Sequence, residues 1–239
     1  MSEGGSDQRR QNLLKIASAA VFLAVIAVAV LIVVSTGEDD GGDADAIEGA
    51  AQVNKQLQGI PQDGLVLGES GAKVKLVEFG DLKCPVCASY AEEVIPEVID
   101  SEVRTGQARI EFRSYTIIDE QSGPAGAAAI AAGEQGRGWN FVEIFYRNQG
   151  NEAAAYVTDE FLTAVAEAAG VKDIARWDRD RQGSRAINEV AASTAAAEKL
   201  GFTGTPSFAV EGPATDGLEP FEAYESPVDQ LEAAIAGAQ

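Results

Sequence analysis

Apolar residues fall into three regimes along the chain. Residues 16–34 form an unbroken uncharged stretch, long enough to cross a hydrocarbon core of about 30 Å as a helix. Residues 35–51 are rich in Gly, Asp and Glu with almost no large apolar side chain, so they cannot bury enough surface to offset the entropy of ordering. From Gly64 onward, short apolar runs give way to helical spacing and then return. Residues 65–67 read as a short strand, 74–79 (Val-Lys-Leu-Val-Glu-Phe) as a buried strand, 84–102 as a helix and 109–116 as a strand. That order is a β-α-β unit. Residues 124–149, 159–169 and 173–200 carry apolar positions at helical spacing, punctuated by Gly133, Gly136, Gly138, Gly150, Gly170 and Gly183. No strand signal interrupts them. Residues 207–210 and 219–223 then read as two short strands across a Gly/Pro loop, and 227–236 as a closing helix. No internal repeat is visible.

The pattern predicts an α/β domain over 61–239 with helices inserted at about 122–200. Ahead of it lie an expected flexible acidic tether (35–60), a transmembrane anchor (16–34) and a cytoplasmic tail (1–15). Arg9, Arg10 and Lys15 precede the apolar stretch, whereas Glu38, Asp39, Asp40, Asp43, Asp45 and Glu48 follow it. This bias orients the amino terminus inside and the bulk of the chain outside. A cleaved signal peptide would have an apolar region of about 7–15 residues and a small-residue cleavage site. Here the run is longer and no clear Ala-x-Ala follows, so an uncleaved single-pass anchor is expected. Either arrangement puts the domain outside the cytoplasm.

The 46% of hydrophobic residues suffice for a core of ordinary size. The net charge is −20, and beyond the tail 15 basic residues face 36 acidic ones, a net −21. Such a field repels nucleic acid and anionic headgroups, which removes both as expected partners.

Chemistry concentrates at Cys84-Pro85-Val86-Cys87, which holds both cysteines of the chain. Structural zinc needs four Cys or His ligands, and this chain has two cysteines and no histidine. A disulfide closing two intervening residues would stabilise little. In a compartment where disulfides persist, such a pair is suited to handling the disulfides of other proteins. Cys84 is placed at a helix start, where backbone N–H groups and the positive dipole end favour a thiolate, and Pro85 suits the first helical position. Cys84 is therefore expected to be the exposed nucleophile. Cys87, one turn on and on the same face, is expected to be the buried resolving thiol. Lys83 beside the motif is either an added positive charge or a solvated surface lysine.

Two segments carry a family resemblance: Val77-Glu78-Phe79-Gly80-Asp81 before the cysteines, and Gly201-Phe202-Thr203-Gly204-Thr205-Pro206-Ser207-Phe208 after the helical insertion. From about Gly64 to the end the chain resembles the DsbA-like branch of the thioredoxin superfamily, in the form found as membrane-anchored bacterial proteins. Gly138-Trp139-Asn140-Phe141, with Phe145 and Gln149, is similar to that family's insertion. The resemblance implies a thioredoxin fold with an inserted helical subdomain. It implies a buried acid at Glu78 that exchanges a proton with the buried thiol, and a cis Thr205-Pro206 bond facing the cysteines. Pro85, Val86, Thr205 and Pro206 would support the substrate. Val86 departs from the family, which commonly has an aromatic residue or histidine there; valine can pack but cannot hold a thiolate by charge.

The expected activity is that of an extracytoplasmic dithiol oxidase donating disulfides to secreted or cell-envelope polypeptides, reoxidised by a membrane partner. Its redox group would be the cysteine pair, with no bound cofactor and no metal. A disulfide reductase or isomerase, and a non-catalytic membrane-tethered binding module, remain as alternatives.

Overall fold

The computed structural model describes residues 47–239. The expected tail, the anchor at 16–34 and the first part of the tether lie outside the described residues. Among the described residues no helix is long and apolar enough to cross a membrane.

The second half of the expected tether is ordered. Helix α1, Ala50–Gln56, buries Val53, and Leu57 follows it into the core. Acidic composition ends near residue 49, and Val53 and Leu57 lie one turn apart, which gives this short helix an apolar face to bury. Polar groups fix it as well: the Asn54 Nδ2 donates to the Ala168 carbonyl at 2.9 Å, and Asn54 Oδ1 accepts from Asn140 Nδ2 at 2.7 Å.

One mixed sheet has six strands in the order β1–β2–β4–β3–β5–β6. They are β1 Gln62–Asp63, β2 Val66–Leu67, β3 Val74–Gly80, β4 Ala108–Ser114, β5 Ser207–Glu211 and β6 Glu219–Phe221. β3 runs parallel to β4 and antiparallel to β5. Covered on both faces, β3 reads as a nearly continuous apolar run. Val77 and Phe79 pack with Tyr115, Ala197 and Ala209 on one side. Val74 and Leu76 enter the main core on the other, and alternation puts Glu78 there too.

The expected helix over 84–102 is interrupted. α2 is Pro85–Glu93 and α3 is Ile95–Val98, which continues into a wider π turn at Ile99–Val103. Pro96 supplies the reason: it has no N–H, and its ring collides with the carbonyl four residues earlier. The insertion contains α4 Ser122–Gly133, α5 Gly138–Arg147, α6 Asp159–Ala168, α7 Ile174–Arg181 and α8 Ser184–Lys199, and α9 Pro227–Gly237 closes the chain. Two long expected helices thus become four. Gly136, at φ 66°, makes the left-handed turn between α4 and α5. Close packing explains Gly138, where a Cβ would lie 2.5 Å from the Gly64 carbonyl oxygen. Next to it, Trp139 is fully buried and its indole N–H donates to the Leu65 carbonyl at 2.8 Å. The insertion is thereby fastened to the β1–β2 hairpin.

Candidate active site

The site lies where β3 ends and α2 begins. Asp81, fully buried, holds the junction: Oδ1 accepts the Lys83 N–H at 2.9 Å, and Oδ2 accepts the N–H groups of Ile117 and Ile118 at 2.8 and 3.0 Å. From α5's far end, Gln149 Nε2 donates to the carbonyls of Leu82 and Cys84 at 2.5 and 3.1 Å. Gln149→Ala is expected to leave both carbonyls without this donor and to cost about 2 kcal/mol. Urea unfolding should show a lower midpoint with an unchanged slope.

Both cysteines are free thiols, so this is the reduced form. Cys84 caps α2, with Pro85 at the first helical position. Its Sγ accepts from the Cys87 backbone N–H at 3.5 Å and, when protonated, donates to the Thr205 carbonyl at 3.4 Å. Cys84, expected to be exposed, is only 5% exposed with the Thr205 carbonyl against its sulfur, and Cys87 is 0% exposed. The Cys87 thiol's hydrogen bond, followed by the nearby Thr205 hydroxyl and the Cys87 and Val86 N–H groups, lowers the Cys84 pKa from 9.0 to about 6 against the effect of burial. Burial first, then the hydrogen bond and negative charge of Cys84, pushes the Cys87 thiol well above 9.0. One sulfur is therefore a thiolate at neutral pH and its neighbour is a thiol.

The Thr205–Pro206 bond is cis. β5 starts directly after it, and Ser207 pairs with Phe79 at the end of β3, which brings the Thr205 carbonyl over Cys84. The Thr205 hydroxyl is buried and makes no well-formed hydrogen bond. It nonetheless lies close enough to both sulfurs to favour their thiolate forms. Val86 is 53% exposed and Tyr224 62%. Tyr90 Oη donates to the Ala223 carbonyl, which fastens the Tyr224 loop against α2.

Glu78 is buried at 2% exposure, and its Oε1 has no hydrogen-bond partner among the described residues. Burial, with the Cys84 charge second, pushes its pKa from 4.5 to about 8. It is mostly protonated at pH 7. Lys83 is neither a surface lysine nor a free positive charge for the thiolate: it is fully buried. Its Nζ pairs with Asp119 and donates to Gln121 Oε1 at 3.3 Å and the Ala154 carbonyl at 3.2 Å. The Asp119 carboxylate at its tip and the Tyr156 ring, its centroid 5.4 Å from Nζ, offset the cost of that burial.

Sequence reasoning missed Glu143 and Tyr146, both buried on α5. Glu143 interrupts Phe-Val-Glu-Ile-Phe just as Glu78 interrupts its strand, so the same signal was present. Among the described residues, no group of three or more Cys, Asp or Glu side chains is arranged to hold a metal ion.

This sheet with its helical insertion, a dithiol at the start of α2 and a cis-proline loop over it define a thiol–disulfide oxidoreductase. The chain belongs to the thioredoxin family, whose sequence profile matches residues 61–230, and within it to the DsbA-like group. The Bacillus anthracis protein named probable disulfide bond formation protein D is 30% identical over 149 residues, covering 61% of this chain and 69% of that one. Oxidised BdbD from Bacillus subtilis superposes with a TM-score of 0.63 at 19% identity, covering 74% of this chain and 96% of the other. A thioredoxin-like oxidoreductase from Silicibacter pomeroyi gives a TM-score of 0.58 at 29% identity, covering 77% and 95%.

Proposed function

We propose that the chain is a dithiol oxidase that donates the Cys84–Cys87 disulfide to thiol-bearing polypeptides outside the cytoplasm. The carrying observation is the asymmetry of the two sulfurs, because stabilising the Cys84 thiolate stabilises the reduced form and makes the disulfide more oxidising. Lowering its pKa from 9.0 to about 6 favours the reduced form at pH 7 by about 1.4 kcal/mol, or about 30 mV for a two-electron couple. The relatives named for disulfide bond formation support the same direction of flow.

In the oxidised chain, a substrate thiolate attacks Cys84 Sγ and the Cys84–Cys87 bond breaks. Cys87 leaves as a thiolate and takes a proton from Glu78. The second substrate thiol loses its proton to solvent and attacks the substrate sulfur of the mixed disulfide, releasing Cys84 as the stable thiolate. The substrate loses two electrons and gains a disulfide; the cysteine pair gains them. Thr205 and Pro206 offer an extended substrate the edge of a strand, while exposed Val86 and Tyr224 supply apolar contact. An anchor at 16–34, set by the charge bias around it, would hold the domain outside the membrane beside a partner that reoxidises it.

Equilibration of the full chain with glutathione buffers tests the direction. An oxidase is expected near −120 mV, whereas a value near −270 mV would make the chain a reductase fed by a membrane donor. Absence of a reversible couple would remove the redox reading altogether.

A further inference from the structure

The large apolar side chains exposed among the described residues are Val86, Tyr224, Ile117 and Ile187. Val86 lies between the cysteines and Tyr224 is held against α2. Ile117 belongs to the same region, since one carboxylate, Asp81, accepts the N–H groups of both Lys83 and Ile117. Ile187, 54% exposed, stands on α8 in the helical insertion and has no part in the mechanism above. Its helix nevertheless leads back to the site. Ile187, Val190 and Thr194 recur at helical spacing and share one face of α8. Thr194 Oγ1 accepts the Thr116 N–H at 3.2 Å and lies 3.0 Å from the Thr116 hydroxyl, one residue before Ile117. From Ile187 to Thr194 is about 10 Å along the helix axis, which an extended polypeptide covers in about three residues.

Ile187 borders a groove of about 580 Å³ between α4 and α8. Gly123, Pro124 and Ala127 form its α4 wall, where short side chains leave the space open, and Val190 forms part of the other. Ala127 and Val190 belong to a small buried apolar cluster beneath it. The α4 wall begins two residues beyond Gln121, which accepts from Lys83 Nζ next to Cys84. Elsewhere on its rim the groove meets a cavity of about 520 Å³, the two sharing Asp159, Arg181 and Gln182. The carboxylates of Asp159, Glu160, Glu167 and Asp178 line that cavity against one cation, Arg181. Arg181 is already committed to Asp159 and Asp178, at 2.8 and 2.6 Å. Glu160 and Glu167, both exposed and two turns apart on α6, have no ion-pair partner among the described residues.

We propose that this groove docks the substrate polypeptide at a point away from its cysteine, taking an aliphatic side chain between α4 and α8 and an adjacent lysine or arginine against Glu160 and Glu167. This rests on the reading of the chain as an oxidase of polypeptide thiols, and it says which polypeptides are favoured. Charge complementarity selects the occupant. An acidic segment or an anionic headgroup is repelled here by a chain of net charge −20, and a purely apolar segment brings nothing to the two glutamates. The bound segment would run past Ile117 to reach the cysteines, so the exposed apolar side chains lie along one path. Such docking holds the substrate equally before and during exchange. It therefore lowers the half-saturating concentration and leaves the limiting rate as it was.

The test mixes the full oxidised chain in stopped flow with reduced two-cysteine peptides that carry Leu-Lys-Lys about six residues from the nearer cysteine, on one side or the other. Control peptides carry Ser-Gly-Ser in its place. On one of the two sides the Leu-Lys-Lys peptide is expected to half-saturate at about tenfold lower concentration than its control, with the same limiting rate. Raising the salt should shrink that advantage. Ile187→Ser, and separately Glu160→Gln combined with Glu167→Gln, should each remove most of it; all three positions are exposed. Equal half-saturation on both sides, or an advantage that survives both variants, overturns the docking site. A Leu-Glu-Glu peptide that gains as much as Leu-Lys-Lys overturns it too, because charge then selects nothing. If no peptide is oxidised, the oxidase reading falls by itself, and docking is read from the fluorescence anisotropy of a labelled, cysteine-free Leu-Lys-Lys peptide on the full chain. Binding that Ile187→Ser abolishes supports the site, and no binding overturns it. Self-association lost in Ile187→Ser, without peptide binding, would make the groove an interface between copies and equally overturn the proposal.

Discussion

Cys87→Ala is expected to turn the chain into a trap that accumulates substrate as a covalent mixed disulfide, whereas Cys84→Ser is expected to form no adduct and to lose exchange entirely. The contrast follows from the two environments. Cys84 keeps a little exposed surface and a pKa near 6, so at pH 7 it is chiefly the attacking thiolate. Cys87 is fully buried and protonated, unable to meet a partner directly but one helical turn from the bond it must break. Removing it takes away the leading hydrogen bond to the Cys84 thiolate, which slows the first attack without abolishing it, and deletes the second. A hydroxyl at position 84 is far too weak an acid to replace the thiolate. Non-reducing electrophoresis followed by mass spectrometry of each reduced variant, mixed with an oxidised polypeptide, reads the outcome. Adducts on the Cys84→Ser chain would reverse the assignment of the two sulfurs.

The sequence made the chemistry easier to see than its surroundings. Cys84 and Cys87 announce themselves because two cysteines at helical spacing after an apolar strand leave few other uses, and the strands on either side of them, read at 74–79 and 109–116, were visible from periodicity. Glu78 stood out as a charge inside a strand. Glu143 carried the same signal inside a helix and was passed over, because a charge in a helix is ordinarily placed on its solvated face, and only packing shows that this face of α5 is covered. Lys83 misled for the opposite reason: its partners Asp119, Gln121 and Ala154 come from segments far along the chain. The breaks at Val94, at Gly136 and before Gly183 were all marked by Pro or Gly, yet apolar periodicity ran across them and masked the boundaries. Helix α1 was hidden by its acidic neighbours, since its order depends on Val53 and on the Asn54–Asn140 bond, a tertiary contact that local composition does not reveal.

Between pH 4 and pH 7, Glu78→Gln is expected to gain about 3 kcal/mol of stability relative to the unsubstituted reduced chain. The sign follows from linkage. Glu78 has a pKa of 4.5 when exposed and about 8 when folded, so below 4.5 both states hold the proton and burial adds no pH-dependent penalty. Above 4.5 the unfolded chain releases its proton while the folded chain keeps it, and stability falls with each pH unit until about 8. Glutamine has the same shape and no ionisation, so it escapes that slope. Any fixed cost of burying the amide is present at both pH values and cancels from the difference. Cys84 slopes the other way: its lowered pKa contributes stability present above 9.0 and lost as pH falls through about 6. Since that term is common to both chains, comparing them isolates the carboxyl. Urea unfolding at the two pH values measures it, and an equal difference between the chains at pH 4 and 7 would mean that Glu78 is already ionised in the folded state. A gain in stability joined to slower exchange would identify the buried acid as a group the fold tolerates at a cost because proton transfer to Cys87 requires it.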